Sequence, residues 1–71
     1  MDYVQVSSST LQAVGFDTET QTLAVIFHNG TEYHYLNVPS SHFEGICAAS
    51  SPGGYLDAYI KKAGYHYARV R

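Results

Sequence analysis

The order of apolar and polar positions splits the chain into an alternating half and a helical half. Tyr3-Val4-Gln5-Val6 alternates and is halted by Ser7-Ser8-Ser9. Leu11 to Phe16 is the next run, with Val14 and Phe16 on one side. Asp17-Thr18-Glu19-Thr20 reads as a turn whose Asp carboxylate accepts from the backbone two residues on. Thr22 to Phe27 sets Leu23, Val25 and Phe27 against Thr22, Ala24 and Ile26. Thr31 to Leu36 sets Tyr33 and Tyr35 against Glu32, His34 and Leu36, again with the period of two that marks a strand.

The register of the last hairpin follows from the same pattern. A two-residue Asn29-Gly30 turn would place Phe27 opposite Glu32 and Val25 opposite His34. A three-residue loop, His28-Asn29-Gly30 with Gly30 in the left-handed region, pairs Phe27 with Thr31, Val25 with Tyr33 and Leu23 with Tyr35. Only the second gathers the apolar set on one face, so it is the register predicted. The opposite face, with Ala24, Ile26, His34 and Leu36, is half apolar. Such a face invites a subunit contact or a fold-over of the first strand.

Helical spacing takes over after residue 40. Ser41 and Glu44 stand as a capping box before an apolar set of Phe43, Ile46, Cys47 and Ser50. Ser51-Pro52 reads as an N-cap with proline in the first helical position. The next helix carries Leu56/Ile60 and Tyr55/Tyr59 as two stripes, with Asp57 and Lys61 as an i,i+4 pair. Gly64 is placed to end it. Tyr65 to Arg71 alternates once more, with Tyr65, Tyr67, Arg69 and Arg71 sharing one face of a closing edge strand. The expected fold is α+β: an antiparallel meander of three to four strands, two short helices and a short C-terminal strand, forming a single domain over residues 1–71.

Composition narrows the function classes. The chain has 71 residues, 45% hydrophobic and 14% charged, which indicates a folded domain rather than a disordered one. So small a core needs help, and seven Tyr and three Phe supply it; self-association into a homo-oligomer is the other usual remedy. No stretch approaches the ~20 apolar residues of a membrane span, and Met1-Asp2-Tyr3 lacks a basic secretory leader. Cys47 stands alone, so no disulfide framework is available and a cytoplasmic setting is expected. The net charge of −2 conceals a segregation: all six acids lie within residues 1–57, and all four Lys and Arg lie beyond them. An acidic body does not attract duplex nucleic acid at long range, whereas a basic end can hold one phosphate or an acidic patch.

In order, Val6-Ser7-Ser8, Val14-Gly15-Phe16-Asp17, Leu23-x-Val25-x-Phe27-x-x-Gly30, Tyr33-x-Tyr35, Val38-Pro39, Phe43, Ser51-x-Gly53-x-Tyr55 and Ile60-Lys61 resemble the KTSC domain. That module occurs at the C-terminus of some lysyl-tRNA synthetases and as a free-standing protein of bacteria and phages. The sequence departs from the pattern at Leu56, where a small polar residue is usual, and its Ala63-Gly64 link is about one residue longer. The resemblance implies a suspected role in RNA binding, an association through the synthetase rather than a mechanism.

Several residue groups compete as sites. Ser51, Gly53, Gly54 and Tyr55, at the start of a helix, suit an anion, though a capped turn explains them as well. They do not form a Walker loop, which needs G-K-[ST]. Tyr65, Tyr67, Arg69 and Arg71 interleave rings and cations in a way that suits single-stranded nucleic acid or a nucleotide, though charge also protects a strand edge. Lys61 and Lys62 either contribute to such a site or simply close a helix C-terminus. Tyr33 and Tyr35 are expected in the core rather than as a stacking platform. His28, His34, His42 and His66 lack ligand spacing, so no metal is expected. Cys47 and His42 fall on different faces of one helix, and no catalytic residues or cofactor are expected. The reading is a non-enzymatic binding module for RNA, single-stranded nucleic acid or a phosphorylated nucleotide-type ligand. The alternative is a homo-oligomeric or protein-partner adaptor that takes no small ligand.

Overall fold

Five strands and two helical segments follow one another in a computed structural model that describes residues 1–71: β1 (Tyr3–Gln5), β2 (Leu11–Asp17), β3 (Thr22–Phe27), β4 (Glu32–Tyr35), α1 (Ser40–Ala48), α2 (Pro52–Tyr55) continuing as a π-turn (Leu56–Lys61), and β5 (Tyr67–Arg69). The strands form one antiparallel sheet in the order β1-β2-β3-β4-β5, so the α+β meander with its short closing strand is the observed architecture. The hairpin register is the one the apolar pattern selects: Leu23 faces Tyr35, Val25 faces Tyr33, and the Phe27 N–H donates to the Thr31 carbonyl over 2.8 Å. Gly30 takes φ +90°, the left-handed geometry that a three-residue loop requires. Asp17 accepts from the Glu19 N–H at 3.0 Å, which secures the turn before β3.

One sheet face carries the core. Cross-strand rows Val14–Val25–Tyr33–Arg69 and Phe16–Leu23–Tyr35–Tyr67 run across it. Leu11, Val14, Leu23, Val25 and Tyr35 join Val38, Ile46, Leu56 and Ile60 beneath the helices in one buried cluster. Leu11 belongs to this face because an irregularity between Leu11 and Ala13 inserts an extra residue, Gln12, into β2. Leu56, the departure from the family pattern, is simply a core residue.

Four details differ from the sequence expectation. The Ser41–Glu44 capping box does not form: α1 starts at Ser40, and Pro39, in extended conformation, is its cap. Buried Val38 donates to the Gln21 carbonyl over 2.9 Å; this anchors the chain one residue earlier and leaves Ser41 inside the first turn. Of the apolar set expected on α1 only Ile46 is buried, while Phe43 packs half-buried on the cluster and Cys47 and Ser50 are exposed. The Asp57–Lys61 pair is replaced by Asp57–Lys62 at 3.6 Å. Over Leu56–Lys61 the backbone bonds span five residues, as in Lys62 N–H to Asp57 O, and this turns Lys61 to another face.

The tail holds the fourth difference. Val70 and Arg71 both donate to the Glu32 carbonyl, at 2.9 and 3.4 Å, and the Glu32 N–H donates back to the Arg71 carbonyl. Two residues opposite one is a β-bulge, and it reverses the facing of everything beyond it. Tyr67 and Arg69 therefore share the inner face with Tyr33 and Tyr35, while Arg71 crosses to the outer face.

β1 lies beside β2 as the edge strand of the sheet, and its Tyr3 side chain reaches across the outer face. Tyr3 pairs with Gly15, which pairs with Ala24 in turn, so a glycine and an alanine form a floor over which the Tyr3 ring lies. The first strand thus does not fold over the half-apolar face, where Leu36 stays exposed; the Tyr3 side chain crosses it and ends on Glu32.

Candidate functional site

At the β4–β5 side of the inner face, the helices leave two adjoining clefts. The larger, about 630 Å³, lies at the hairpin end of the sheet. Ser9, Thr10, His28, Asn29 and Thr31 form its polar rim, and Phe27, Tyr33, Lys61 and Arg69 form its floor and flank. The smaller, about 280 Å³, is walled by Tyr33, Tyr35, Tyr65, Tyr67 and Lys61. Tyr33 and Lys61 line both, so the two clefts adjoin as the polar and the aromatic compartment of one hollow.

Sheet register builds this hollow. Pairing of Tyr33 with Arg69 and of Tyr35 with Tyr67 sets two rings, a third ring and a guanidinium side by side. Tyr67 lies 5.7 Å from Tyr33, edge-on at 81°, and 5.4 Å from Tyr35. Phe27 meets Tyr33 edge-on at 5.8 Å, and Lys61 stands over the Phe27 ring at 5.4 Å. Tyr35 is 3% exposed and structural, and burial raises its phenol pKa above the ordinary value. Tyr33 is half-buried and presents part of its ring to the hollow, while Tyr67 is 63% exposed.

The rim is held from beneath. The Ser8 hydroxyl accepts from the Thr10 and Leu11 N–H groups, at 3.1 and 3.2 Å. His28 Nε2 donates to the Ser8 carbonyl over 2.7 Å, which joins the hairpin loop to the β1–β2 connection. Asn29 accepts from the Thr31 N–H over 3.0 Å. A fixed rim presents its remaining donors without the entropy cost of ordering them.

The charge distribution is decisive for what the hollow can hold. Of the four cations, Arg71 is bound to Glu32 and Lys62 stands beside Asp57. Lys61 and Arg69 have no Asp or Glu side chain within ion-pair distance, Arg69 Nε donating instead to the Arg71 carbonyl at 3.0 Å, and both line the hollow, from which acidic side chains are absent. Two cations without an acidic side-chain partner thus stand beside aromatic faces.

The residues singled out from sequence separate into two sets. Lys61, Arg69, Tyr65 and Tyr67 come together here. Ser51, Gly53, Gly54 and Tyr55 line neither compartment. The Ser51 hydroxyl accepts from the Gly54 N–H at 3.2 Å as an ordinary cap, and Gly53 packs against Thr10 and Ser8. Tyr55 packs on Gly45 and shares a 2.9 Å hydrogen bond with His42. Lys62 and Arg71 face elsewhere. The polar rim carries no motif in the sequence, although the pairing of Tyr33 with the tail is the signal that brings His28 and Asn29 near Arg69.

A second cluster sits on the outer face. The Glu32 side chain, 5% exposed, accepts from Tyr3 at 2.6 Å, from His34 Nε2 at 2.8 Å and from Arg71 Nε and its terminal nitrogen at 2.9 and 2.6 Å. Burial alone would raise its pKa, but the hydrogen bonds from Tyr3, His34 and Arg71 outweigh that and hold it at about 2. The bond to Glu32 raises the Tyr3 phenol in turn, with burial adding to it. Cys47, on α1, is a thiol pushed up by desolvation, not an activated thiolate.

Comparison with known proteins sets this geometry in context. The KTSC domain family profile matches residues 7–67. A protein of Stutzerimonas stutzeri is 34% identical over 70 residues, covering 99% of both chains. One from Tsukamurella paurometabola is 38% identical over 56 residues, covering 79% of this chain and 84% of its own. A lysine–tRNA ligase of Nostoc punctiforme is 34% identical over 53 residues, 75% of this chain but 9% of the ligase. The crystal structure of a KTSC domain protein from Yersinia pestis superposes with a TM-score of 0.88 at 28% identity, covering 99% of this chain and 97% of that one.

Proposed function

The chain belongs to the KTSC domain family, and on that footing we propose that it is a non-enzymatic binding module for RNA, single-stranded nucleic acid or a phosphorylated nucleotide. The observation that carries this reading is the pairing of the two cations without an acidic side-chain partner, Lys61 and Arg69, with Tyr33 and Tyr67 in one hollow. Cations hold phosphate, and ring faces stack bases at about 1–3 kcal/mol each. The likeness to a short stretch of a lysine–tRNA ligase supports an RNA setting. The test is the double variant Lys61→Glu/Arg69→Glu, both exposed positions. It abolishes RNA or nucleotide binding with the thermal transition unchanged, and full binding by the folded variant retires the assignment.

A second reading rests on a different observation. The edge strand β1 is uncharged, carries exposed Tyr3 and Val4, and leaves one backbone side unpaired. Such an edge favours pairing with a second copy, which is the adaptor alternative. Light scattering at micromolar concentration reports a dimer if that reading is right and a monomer if it is not.

A further inference from the structure

Every cation outside the hollow has a carboxylate partner, and this limits how much of a strand the protein can hold. We infer that the hollow is built for a single nucleotide unit, its base on the exposed ring of Tyr67 beside Tyr33 in the aromatic compartment and its phosphate between Lys61 and Arg69 in the polar one. The inference rests on the nucleotide-type ligand proposed above and narrows it. A compartment of about 280 Å³ walled by four tyrosines accepts one planar ring system, and the adjoining compartment offers hydroxyl and amide groups suited to a sugar. Beyond the hollow no free Lys or Arg continues a track for further phosphates, because Arg71 is held by Glu32 on the opposite face and Lys62 stands beside Asp57. The rest of the body carries a net negative charge that repels additional backbone.

The same chemistry reaches the hollow from a free nucleoside monophosphate or from one residue of an unpaired strand. A monophosphate brings one phosphate, and a strand held by one unit brings one or two. With about 0.7 counterions released per phosphate on a single strand, log K falls with log salt at a slope between about −0.7 and −1.4, whereas four engaged cations would give about −2.8.

The experiment is an NMR titration of the full chain with uridine monophosphate, uridine, inorganic phosphate and an oligouridylate, each at several salt concentrations. Uridine monophosphate is expected to shift amides of both compartments, around Tyr33, Lys61, Tyr67 and Arg69. Uridine and phosphate alone are expected to bind about tenfold more weakly or worse, because each loses half of the contacts. An oligouridylate that binds with the shallow slope and far more tightly than the monophosphate assigns the strand as the source; equal affinity assigns the free nucleotide. Tyr67→Ala, at an exposed position, is expected to remove the advantage of the monophosphate over phosphate while phosphate itself binds unchanged. A slope near −3, or a monophosphate that binds no better than phosphate, overturns the single-unit inference and leaves strand binding standing. Failure of all four probes, with no amide shifted, overturns the nucleotide reading itself.

Discussion

The Tyr3 hydroxyl donates to Glu32 Oε2 over 2.6 Å, although the two residues lie 29 positions and three strands apart. The contact exists because Gly15 and Ala24 leave no side-chain bulk between them. A Cβ on Gly15 would stand 3.1 Å from the Tyr3 ring and from the Asp2 carbonyl. Glu32 then receives Arg71 from the opposite side, so one carboxylate ties β1 and the segment after β5 to the middle of the sheet.

This carboxylate makes stability depend on acid. Its pKa falls from 4.5 to about 2 on folding, a depression worth about 3 kcal/mol. A lowered folded-state value gives a contribution that is complete above the unfolded pKa and disappears as pH falls through the folded one. Urea titrations are expected to show stability declining between about pH 5 and pH 2. Glu32→Gln should be less stable by about 2–3 kcal/mol at pH 7 and nearly flat across that window. An unaltered pH slope in the variant would assign the acid sensitivity elsewhere.

Tyr3→Phe tests the Tyr3–Glu32 contact separately. The ring still covers Gly15 and Ala24, but a bond to a buried charge is lost, at a cost of about 1.5–3 kcal/mol. The Glu32 carboxyl, followed by NMR, should titrate at higher pH in this variant because one of its donors is gone.

Gly45→Ala tests the helix contact. The added Cβ would stand 2.8 Å from Tyr55 Cε2 and closer still to its hydroxyl end, and the His42 hydrogen bond restrains the ring from moving away. Overpacking of this kind costs about 1–3 kcal/mol. The loss should appear as a lower melting temperature with ligand binding retained, since Tyr55 lines neither compartment.

Charge reversal at adjacent lysines separates the hollow from the rest of the surface. Lys61→Glu should weaken oligonucleotide or nucleotide binding at least about tenfold, and Lys62→Glu, beside Asp57, should leave it within about twofold. Equal losses at the two positions would mean that general surface charge, and not the hollow, attracts the ligand.

Much of this was legible in the chain. Period-two alternation and the Gly30 loop specified the hairpin register, because a one-residue slip would have exposed Leu23, Val25 or Tyr33. Tyr67 and Arg69 were legible as partners on one face for the same reason. The illegible part came from irregularities that insert a residue without leaving a pattern: at Gln12 in β2, at Val70–Arg71 after β5, and in the wide turn after Tyr55. Each reverses or rotates the side chains beyond it, so Arg71 left the face its alternation assigned and Lys61 left Asp57. The outer cluster was hidden for another reason. Glu32 and His34 were visible as outer-face neighbours, but Tyr3 reaches them only because two intervening positions are small.

The π-turn also separates two jobs that a regular helix would lock together. Leu56 and Ile60 fix how the segment seats on the sheet, yet the extra residue in the loop of backbone between them sets the angular phase of the side chains after it. Lengthening or shortening that turn by a residue would swing the ammonium group like the hand of a dial while the seating stays put. The direction in which Lys61 points is thereby set apart from the packing that holds the segment in place.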